Sequence, residues 1–177
     1  MCNLESFKVD LREVKDEVKT LVFDLDDNYF KVIDGPEVKS GAVRTTVSVR
    51  NTVGVYELRF HCEGTVKVPC DICLDDMDQP ISTDNKLLAR LGEEYSEDDD
   101  LVTVDRENGI INLAWFVYEF IALGIPIRHV HEPGKCNPDM MKLINEHSAD
   151  RSSGNTSEKA VDPRWSELEK LKTIIKD

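Results

Sequence analysis

Two cysteines at the spacing of a metal-binding knuckle are the clearest chemical signal in this chain. Cys70 and Cys73 lie within residues 66–81, and strand-like sequence precedes and follows them. The pair therefore caps a predicted β-hairpin, where two thiolates can face one point. A tetrahedral metal needs two further ligands, and one short cluster of histidine and cysteine downstream supplies them. The spacing predicts a Zn²⁺ site formed by Cys70, Cys73, His131 and Cys136.

The cysteine pair is also compatible with two roles that need no metal. The two cysteines can be core residues on a tight turn, or they can form a redox pair. A thioredoxin-like pair lies at a helix N-terminus after a strand, and the strand-like sequence on both sides argues against that arrangement. Asp71 and Asp75 place negative charge beside the thiolates, which raises thiol pKa values and disfavours a metal. The spacing also leaves open whether His129 or His131 faces the cysteines.

The composition limits the class of partner and the compartment. The chain has 177 residues, a formal net charge of −13 and five cysteines. This charge argues against a protein that coats duplex DNA, because phosphate binding requires dense Lys and Arg. The sequence opens without a signal-peptide pattern, so we expect a reducing cytoplasm rather than a disulfide framework. The longest apolar run, residues 110–127, is too short and too interrupted to cross a bilayer.

Alternating apolar and polar residues predict a sheet in the N-terminal part of the chain. The alternation covers residues 43–50, 56–62, 66–70 and 81–91. Residues 51–54 predict a hairpin turn, and Glu63-Gly64 predicts another turn. We expect at least one further strand from the N-terminus, and residues 101–104 can form a last short strand. We predict an α+β fold with an antiparallel β meander or partial barrel, followed by about three helices.

Capping signals predict the helices. Asn112 is a suitable N-cap for an apolar helix over residues 113–123, and Gly124 ends that helix. Asn137-Pro138 combines a cap with proline at the first helical position. The predicted organisation is one α+β domain over residues 1–147 (β-rich 1–107, helical 108–147), a disordered linker over 148–161 and an amphipathic helix over 162–177.

The polar face of the predicted meander carries mainly cations. The alternation places only two acidic residues, Glu57 and Asp84, on the same face as these cations. Such a face could lie against folded RNA and contact its phosphates by shape, and it could equally be a solvated sheet surface. The candidate RNA-binding residues are Arg44, Arg50, Arg59, Lys67, Lys86 and Arg90.

No motif in the sequence requires catalysis. It contains no nucleophile elbow, no phosphate-binding loop and no paired carboxylates in an apolar setting. The acidic residues concentrate in segments such as 93–100, where like charges repel and stay solvated. We therefore predict a protein that is not an enzyme.

Three segments, taken in order, resemble one bacterial family. They are Val68-Pro-Cys-Asp-Ile-Cys-Leu74, the stretch over residues 109–126, and Val130-His131 with Cys136 followed by the tail from Asp162. Together they resemble the YceD family of large ribosomal RNA subunit accumulation proteins, over roughly residues 60–172. Many relatives carry further cysteines after the position of Cys136 and this chain has none, so a four-ligand site must recruit His131.

The resemblance implies a role in ribosome biogenesis. It implies a non-enzymatic cytoplasmic factor for accumulation or processing of large-subunit ribosomal RNA, or for ribosome assembly. The implied partner is ribosomal RNA or a pre-ribosomal particle, with no membrane and no DNA. An adaptor that binds a basic ribosomal protein through its acidic surface is the alternative, and a thiol redox protein ranks third.

Overall fold

The computed structural model describes residues 4–14, 18–98 and 101–148. The chain divides into two units, Met1–Leu143 and Ile144–Asp177, and only residues 144–148 of the second are described. Apart from Ser148, the predicted linker and the predicted C-terminal helix therefore lie outside the described residues. The predicted domain boundaries stay a prediction.

The described residues have a mixed α+β architecture, which confirms the predicted fold class. Two helices follow the strands, and a third lies between the second and third strands. The elements in chain order are β1 (Lys8–Asp10), β2 (Lys19–Leu25), α1 (Asp27–Ile33), β3 (Ser40–Thr52), β4 (Val55–Pro69), β5 (Asp76–Gly92), β6 (Ser96–Asp98), β7 (Leu101–Asp105), β8 (Ile110–Asn112), α2 (Ala114–Leu123) and α3 (Pro138–His147).

Six strands form one mostly antiparallel sheet in the order β2-β3-β4-β5-β7-β6, while β1 and β8 form a separate ribbon. The larger sheet has β2 and β6 as its edges, so it does not close into a barrel. One pairing departs from the predicted antiparallel meander, because β7 runs parallel to β5. The chain leaves β5, forms the β6–β7 hairpin, and inserts β7 between β5 and β6.

The predicted turn at Glu63-Gly64 is wrong. β4 continues through both residues, and Gly64 is paired with Val43 on one side and Ile81 on the other. A Cβ atom at Gly64 would lie 2.2 Å from the carbonyl oxygen of Ala42. Glycine is therefore required here because two strands approach closely, and the chain does not reverse.

The inner face of the sheet packs against α2. Phe60 of β4 meets Phe120 of α2 with ring centroids 4.9 Å apart. Tyr118 is buried, and its hydroxyl accepts the backbone N–H groups of Glu37 at 2.8 Å and Val38 at 3.1 Å. These contacts fix α2 to the sheet and to the segment that leads into β3.

Both ends of α2 are defined by specific contacts. The helix begins one residue later than predicted, so the N-cap position is Leu113 and not Asn112, although the Asn112 side chain still accepts the Ala114 N–H at 3.0 Å. A Cβ atom at Gly124 would lie 2.1 Å from Cγ2 of Thr83 in β5. The helix end is thus pressed against the sheet, which directs the following chain toward the β4–β5 hairpin. None of the helices in the described segments is long and apolar enough to span a membrane.

Candidate functional site

The knuckle (residues 70–75) joins β4 to β5. Its ends are closed by the Cys70 N–H, which donates to the Asp75 carbonyl at 2.9 Å, and by the Leu74 N–H, which donates to the Cys70 carbonyl at 2.9 Å. Leu74 adopts a positive φ of 64°, which turns the chain back toward β5. Cys70 and Cys73 are both buried, so one tight turn presents two thiols toward the interior.

The arm (residues 125–137) follows α2 and carries the other two predicted ligands. His131 and Cys136 flank a turn in which the Lys135 N–H donates to the Glu132 carbonyl at 2.9 Å. Both ligands are half-buried. The fold brings all four predicted ligands together, with their ligand atoms within 4.8 Å of one another: Cys70, Cys73, His131 and Cys136.

The distances between these ligand atoms fit a tetrahedral zinc ion. Sγ of Cys70 lies 4.0 Å from Sγ of Cys136, and Sγ of Cys73 lies 3.4 Å from Nδ1 of His131. Tetrahedral bonds of about 2.3 Å to sulfur and about 2.0–2.1 Å to nitrogen separate two sulfurs by about 3.8 Å, and sulfur from nitrogen by about 3.5 Å. Three cysteines and one histidine are also a donor set of structural zinc sites.

His131, and not His129, faces the cysteines. Nδ1 of His129 lies 3.1 Å from the carbonyl oxygen of Pro126, and its Nε2 lies 3.5 Å from Oδ1 of Asp71. The imidazole of His129 is therefore engaged outside the ligand cluster. The question that the spacing left open is decided by these contacts.

The cluster shifts the pKa values of two thiols in opposite directions. Burial raises the pKa of Cys70, but backbone N–H groups of Cys73, His131 and Ile72, together with the His131 imidazole, outweigh burial and lower it to about 6. Burial, and then the neighbouring Cys70 and Cys73, raise the pKa of Cys136 to about 11. The donors around Cys70 favour its thiolate, the form that binds metals.

The acidic residues of the knuckle hydrogen-bond to the arm. Oδ2 of Asp71 accepts the backbone N–H of His129 at 2.8 Å, and Oδ2 of Asp75 accepts Nδ2 of Asn137 at 3.0 Å. Despite these carboxylates, the pKa of Cys70 lies below its ordinary value, because the donors around its sulfur prevail.

The six predicted RNA-binding cations all lie exposed on the outer face of the sheet, on β3, β4 and β5. Arg90 donates to the hydroxyl of Thr103 at 3.1 Å, and Arg50 lies opposite Glu57. The other four form ion pairs: Arg44 with Asp24 at 2.7 Å, Arg59 with Glu57 at 2.6 Å, Lys86 with Glu57 at 3.0 Å, and Lys67 with Asp78 at 3.2 Å.

Several acidic side chains on this outer face were missed by sequence reasoning. Asp24 comes from β2, which pairs with β3. Glu63 belongs to the face because β4 continues past it, and Asp78 stands opposite Lys67 near the end of the hairpin. The outer face is therefore a surface of mixed charge, and not the mainly basic surface that the alternation predicted. Only the pairing of neighbouring strands reveals these acids.

The acidic aromatic patch (Tyr95, Glu97, Trp115 and Glu119) was also missed. Tyr95 and Trp115 are exposed. Nε1 of Trp115 donates to Glu119 at 2.6 Å, and the Tyr95 hydroxyl donates to Glu97. Burial, the bond to Glu97 and the charge of Glu119 raise the pKa of Tyr95 to about 12. Each of the two exposed aromatic rings thus donates to a neighbouring carboxylate.

Comparison with protein families identifies the chain. Residues 58–172 match the family described as Large ribosomal RNA subunit accumulation protein YceD. The match spans more than half of the chain and includes the knuckle and the arm. Neither the curated proteins nor the solved structures gave a significant match. The family description implies a role in accumulation of large-subunit ribosomal RNA and names a factor rather than an enzyme. The chain therefore belongs to the YceD family.

Proposed function

We propose that this chain is a non-enzymatic cytoplasmic factor for the accumulation of large-subunit ribosomal RNA, and that Zn²⁺ bound by the four clustered ligands holds its fold. The family match over residues 58–172 carries the proposal. The ligand set supports binding rather than catalysis, because four protein ligands complete a tetrahedral ion. Catalytic zinc sites instead keep one position open for water or substrate.

Zinc at this cluster would act on the fold. It would tie the knuckle to the arm, whose ligands Cys70 and Cys136 are 66 residues apart in the chain. Joining two distant segments restricts the unfolded chain, and the free energy of metal binding then becomes free energy of folding. The metal would thereby keep the sheet, α2 and the arm in one arrangement for a partner.

One route to the ribosomal particle is contact between the outer face and RNA phosphates. The location of all six cations on one exposed face supports this route. Exposed ion pairs contribute little to stability, so a phosphate can replace a carboxylate partner at small cost. A broad sheet face suits folded RNA, which proteins recognise largely by its shape and backbone.

The second route is binding of a basic protein segment by the acidic aromatic patch. Aromatic faces attract Arg and Lys side chains through cation–π contacts, and the neighbouring carboxylates add charge complementarity. The net charge of −13 and the ion pairing of the outer-face cations support this route. The partner of this chemistry is a basic ribosomal protein.

Copurification with and without RNase tests the function and separates the two routes. Tagged protein recovered from growing cells should carry components of the large subunit. Loss of those components after RNase treatment supports contact with RNA, and their retention supports the protein partner. Absence of large-subunit components from both preparations contradicts the proposed function.

A variant of the patch sharpens this test. Changing Tyr95 and Trp115 together to Ala removes both rings, and we expect it to abolish RNase-resistant copurification. Leu123→Ala is the matched control, because Leu123 is also an exposed apolar residue of α2 and lies outside the patch. Equal recovery from the double variant and the control contradicts the second route.

A further inference from the structure

The knuckle and the arm are joined by hydrogen bonds that involve none of the four ligand side chains. The Asp71 backbone N–H donates to the His129 carbonyl at 3.0 Å. In return, the His129 N–H donates to Oδ2 of Asp71 at 2.8 Å. Oδ1 of the same carboxylate lies 3.5 Å from Nε2 of His129. Asp71 and His129 therefore hold each other through backbone and side chain at once.

A second contact lies at the other end of the arm. Nδ2 of Asn137 donates to Oδ2 of Asp75 at 3.0 Å. Oδ1 of Asn137 accepts the N–H groups of Asp139 at 3.0 Å and Met140 at 3.3 Å, in the first turn of α3. Asn137 thus joins the knuckle to the helix cap, and its amide orientation is set from both sides.

These two contacts enclose the cluster along the arm. His129 and Asn137 stand just before and just after the two arm ligands, while Asp71 and Asp75 stand between and just beyond the knuckle cysteines. We propose that Asp71 and Asp75 are positioning residues that dock the arm on the knuckle before the metal binds, so that the zinc site is already formed in the metal-free protein. This inference rests on the proposed zinc site.

The physical reason is pre-organisation. A metal that must also order a loose arm loses part of its binding free energy to that ordering, and a docked arm removes the loss. Hydrogen bonds from N–H groups to a carboxylate are charge-assisted and stronger than neutral ones. This role also explains why acidic residues stand beside thiolates, since their bonds to the arm offset the unfavourable charge.

Zinc affinity tests the positioning role. Asp71→Ala and Asp75→Ala would be compared in the full chain with Asp78→Ala, by competition with a chromophoric chelator. Asp78→Ala is the matched control because it removes the same charge from the same hairpin. In the wild type, Asp78 forms an ion pair with Lys67 on the outer face and has no part in the contact between the knuckle and the arm. We expect the two knuckle variants to lose roughly 10–100-fold in Zn²⁺ affinity. The control should change by less than about twofold, because solvent and salt screen an exposed charge.

Amide hydrogen exchange of the metal-free protein supplies a readout that does not need zinc. We expect the His129 N–H to be protected in the wild type and in Asp78→Ala, and to exchange rapidly in Asp71→Ala. Asp71→Leu, which keeps a similar side-chain volume but offers no acceptor to the His129 N–H, is the fallback variant where Ala prevents folding. Rapid exchange in the metal-free wild type, or unchanged affinity in Asp71→Ala, overturns the inference. A wild type without zinc affinity contradicts the proposed site instead, and the exchange result still decides whether the arm is docked.

Discussion

The metal-ligand cluster and the outer face of the sheet both contain residues that the sequence marks by type and spacing. At the cluster, ligands from the knuckle and the arm converge within 4.8 Å. On the outer face, cations meet carboxylates from neighbouring strands, as Arg44 meets Asp24. Few structural roles require three thiols and an imidazole at such spacings. The knuckle and the arm can therefore each be recognised as a source of metal ligands from its own sequence. The charge of a sheet face depends on what each adjacent strand presents.

The two regions also differ in how deeply their side chains are placed. Cys70 and Cys73 are buried, whereas the outer-face cations are exposed to solvent. Changes at buried, clustered groups affect stability strongly, and changes at exposed charges affect it little. Substitutions in the two regions should therefore separate into large and small effects on folding, while each can affect a different kind of binding.

The largest effect is expected at the cluster. Wild-type protein purified without chelator should contain about one zinc per chain by elemental analysis. Cys70→Ser should release the metal, because serine lacks the soft ionised sulfur that zinc prefers. Its melting temperature should fall by roughly 5–10 °C as the stabilisation by bound metal is lost.

Cys62→Ser is the matched control for that substitution. Cys62 is buried in β4 and accepts the Thr45 hydroxyl at 3.3 Å, and it is not one of the four clustered ligands. It should keep the full zinc content and show a smaller fall in melting temperature. If the wild type contains no metal and Cys70→Ser has the same melting temperature as the wild type, the cluster is only a packing contact.

An intermediate effect is expected from reversing charge on the outer face. Changing Arg44, Arg50 and Arg59 together to Glu should weaken association with a large-subunit RNA fragment. It should also flatten the salt dependence by about one unit of slope for each phosphate that the variant no longer neutralises. Filter binding at several salt concentrations measures both quantities.

The control for this triple variant makes the same charge change elsewhere. Lys31, Lys39 and Arg106 are exposed cations outside the outer face, and their change to Glu should leave the salt slope close to that of the wild type. Both triple variants should stay folded. An identical slope in the two variants would show that net charge, and not this face, governs RNA association.

The smallest effect is expected at a single outer-face carboxylate, Glu57, which pairs with both Arg59 and Lys86. Hydrogen bonds from Lys86 and then Arg59 hold the pKa of Glu57 below its ordinary value of 4.5. A carboxyl whose folded-state pKa is depressed stabilises the fold above its unfolded-state pKa, and this stabilisation is lost as the pH falls through the folded-state pKa.

Glu57→Gln should therefore be slightly less stable than the wild type at pH 7, and the two should converge at an acidic pH below the folded-state pKa of Glu57. Urea melts at both pH values measure this difference. A gap that widens as the pH falls would contradict the assigned direction. Together with the cysteine variants, this result would show how unequal the two regions are in their contribution to folding.

The features that sequence analysis predicted correctly depend on interactions within a few residues. Residues 51–54 form the predicted hairpin turn, with Val53 and Gly54 at positive φ and the Asn51 side chain accepting the Gly54 N–H at 3.1 Å. Asn137 caps the helix that follows it, and Asn112 accepts the N–H of the first residue of α2. The spacing of the knuckle cysteines likewise predicted that both thiols lie on one turn.

By itself, then, the sequence determined the hairpin turn at residues 51–54, the helix cap at Asn137, the α+β class and the types of ligand at the cluster. Only the tertiary structure decided that β4 runs through Gly64, that β7 lies parallel to β5, that His131 faces the cysteines, and that Arg44 meets Asp24. The physical reason is the range of the interactions. A turn or cap is stabilised by neighbours in the chain, whereas a glycine, a histidine or an exposed cation acquires its role from strands and segments that are distant in sequence.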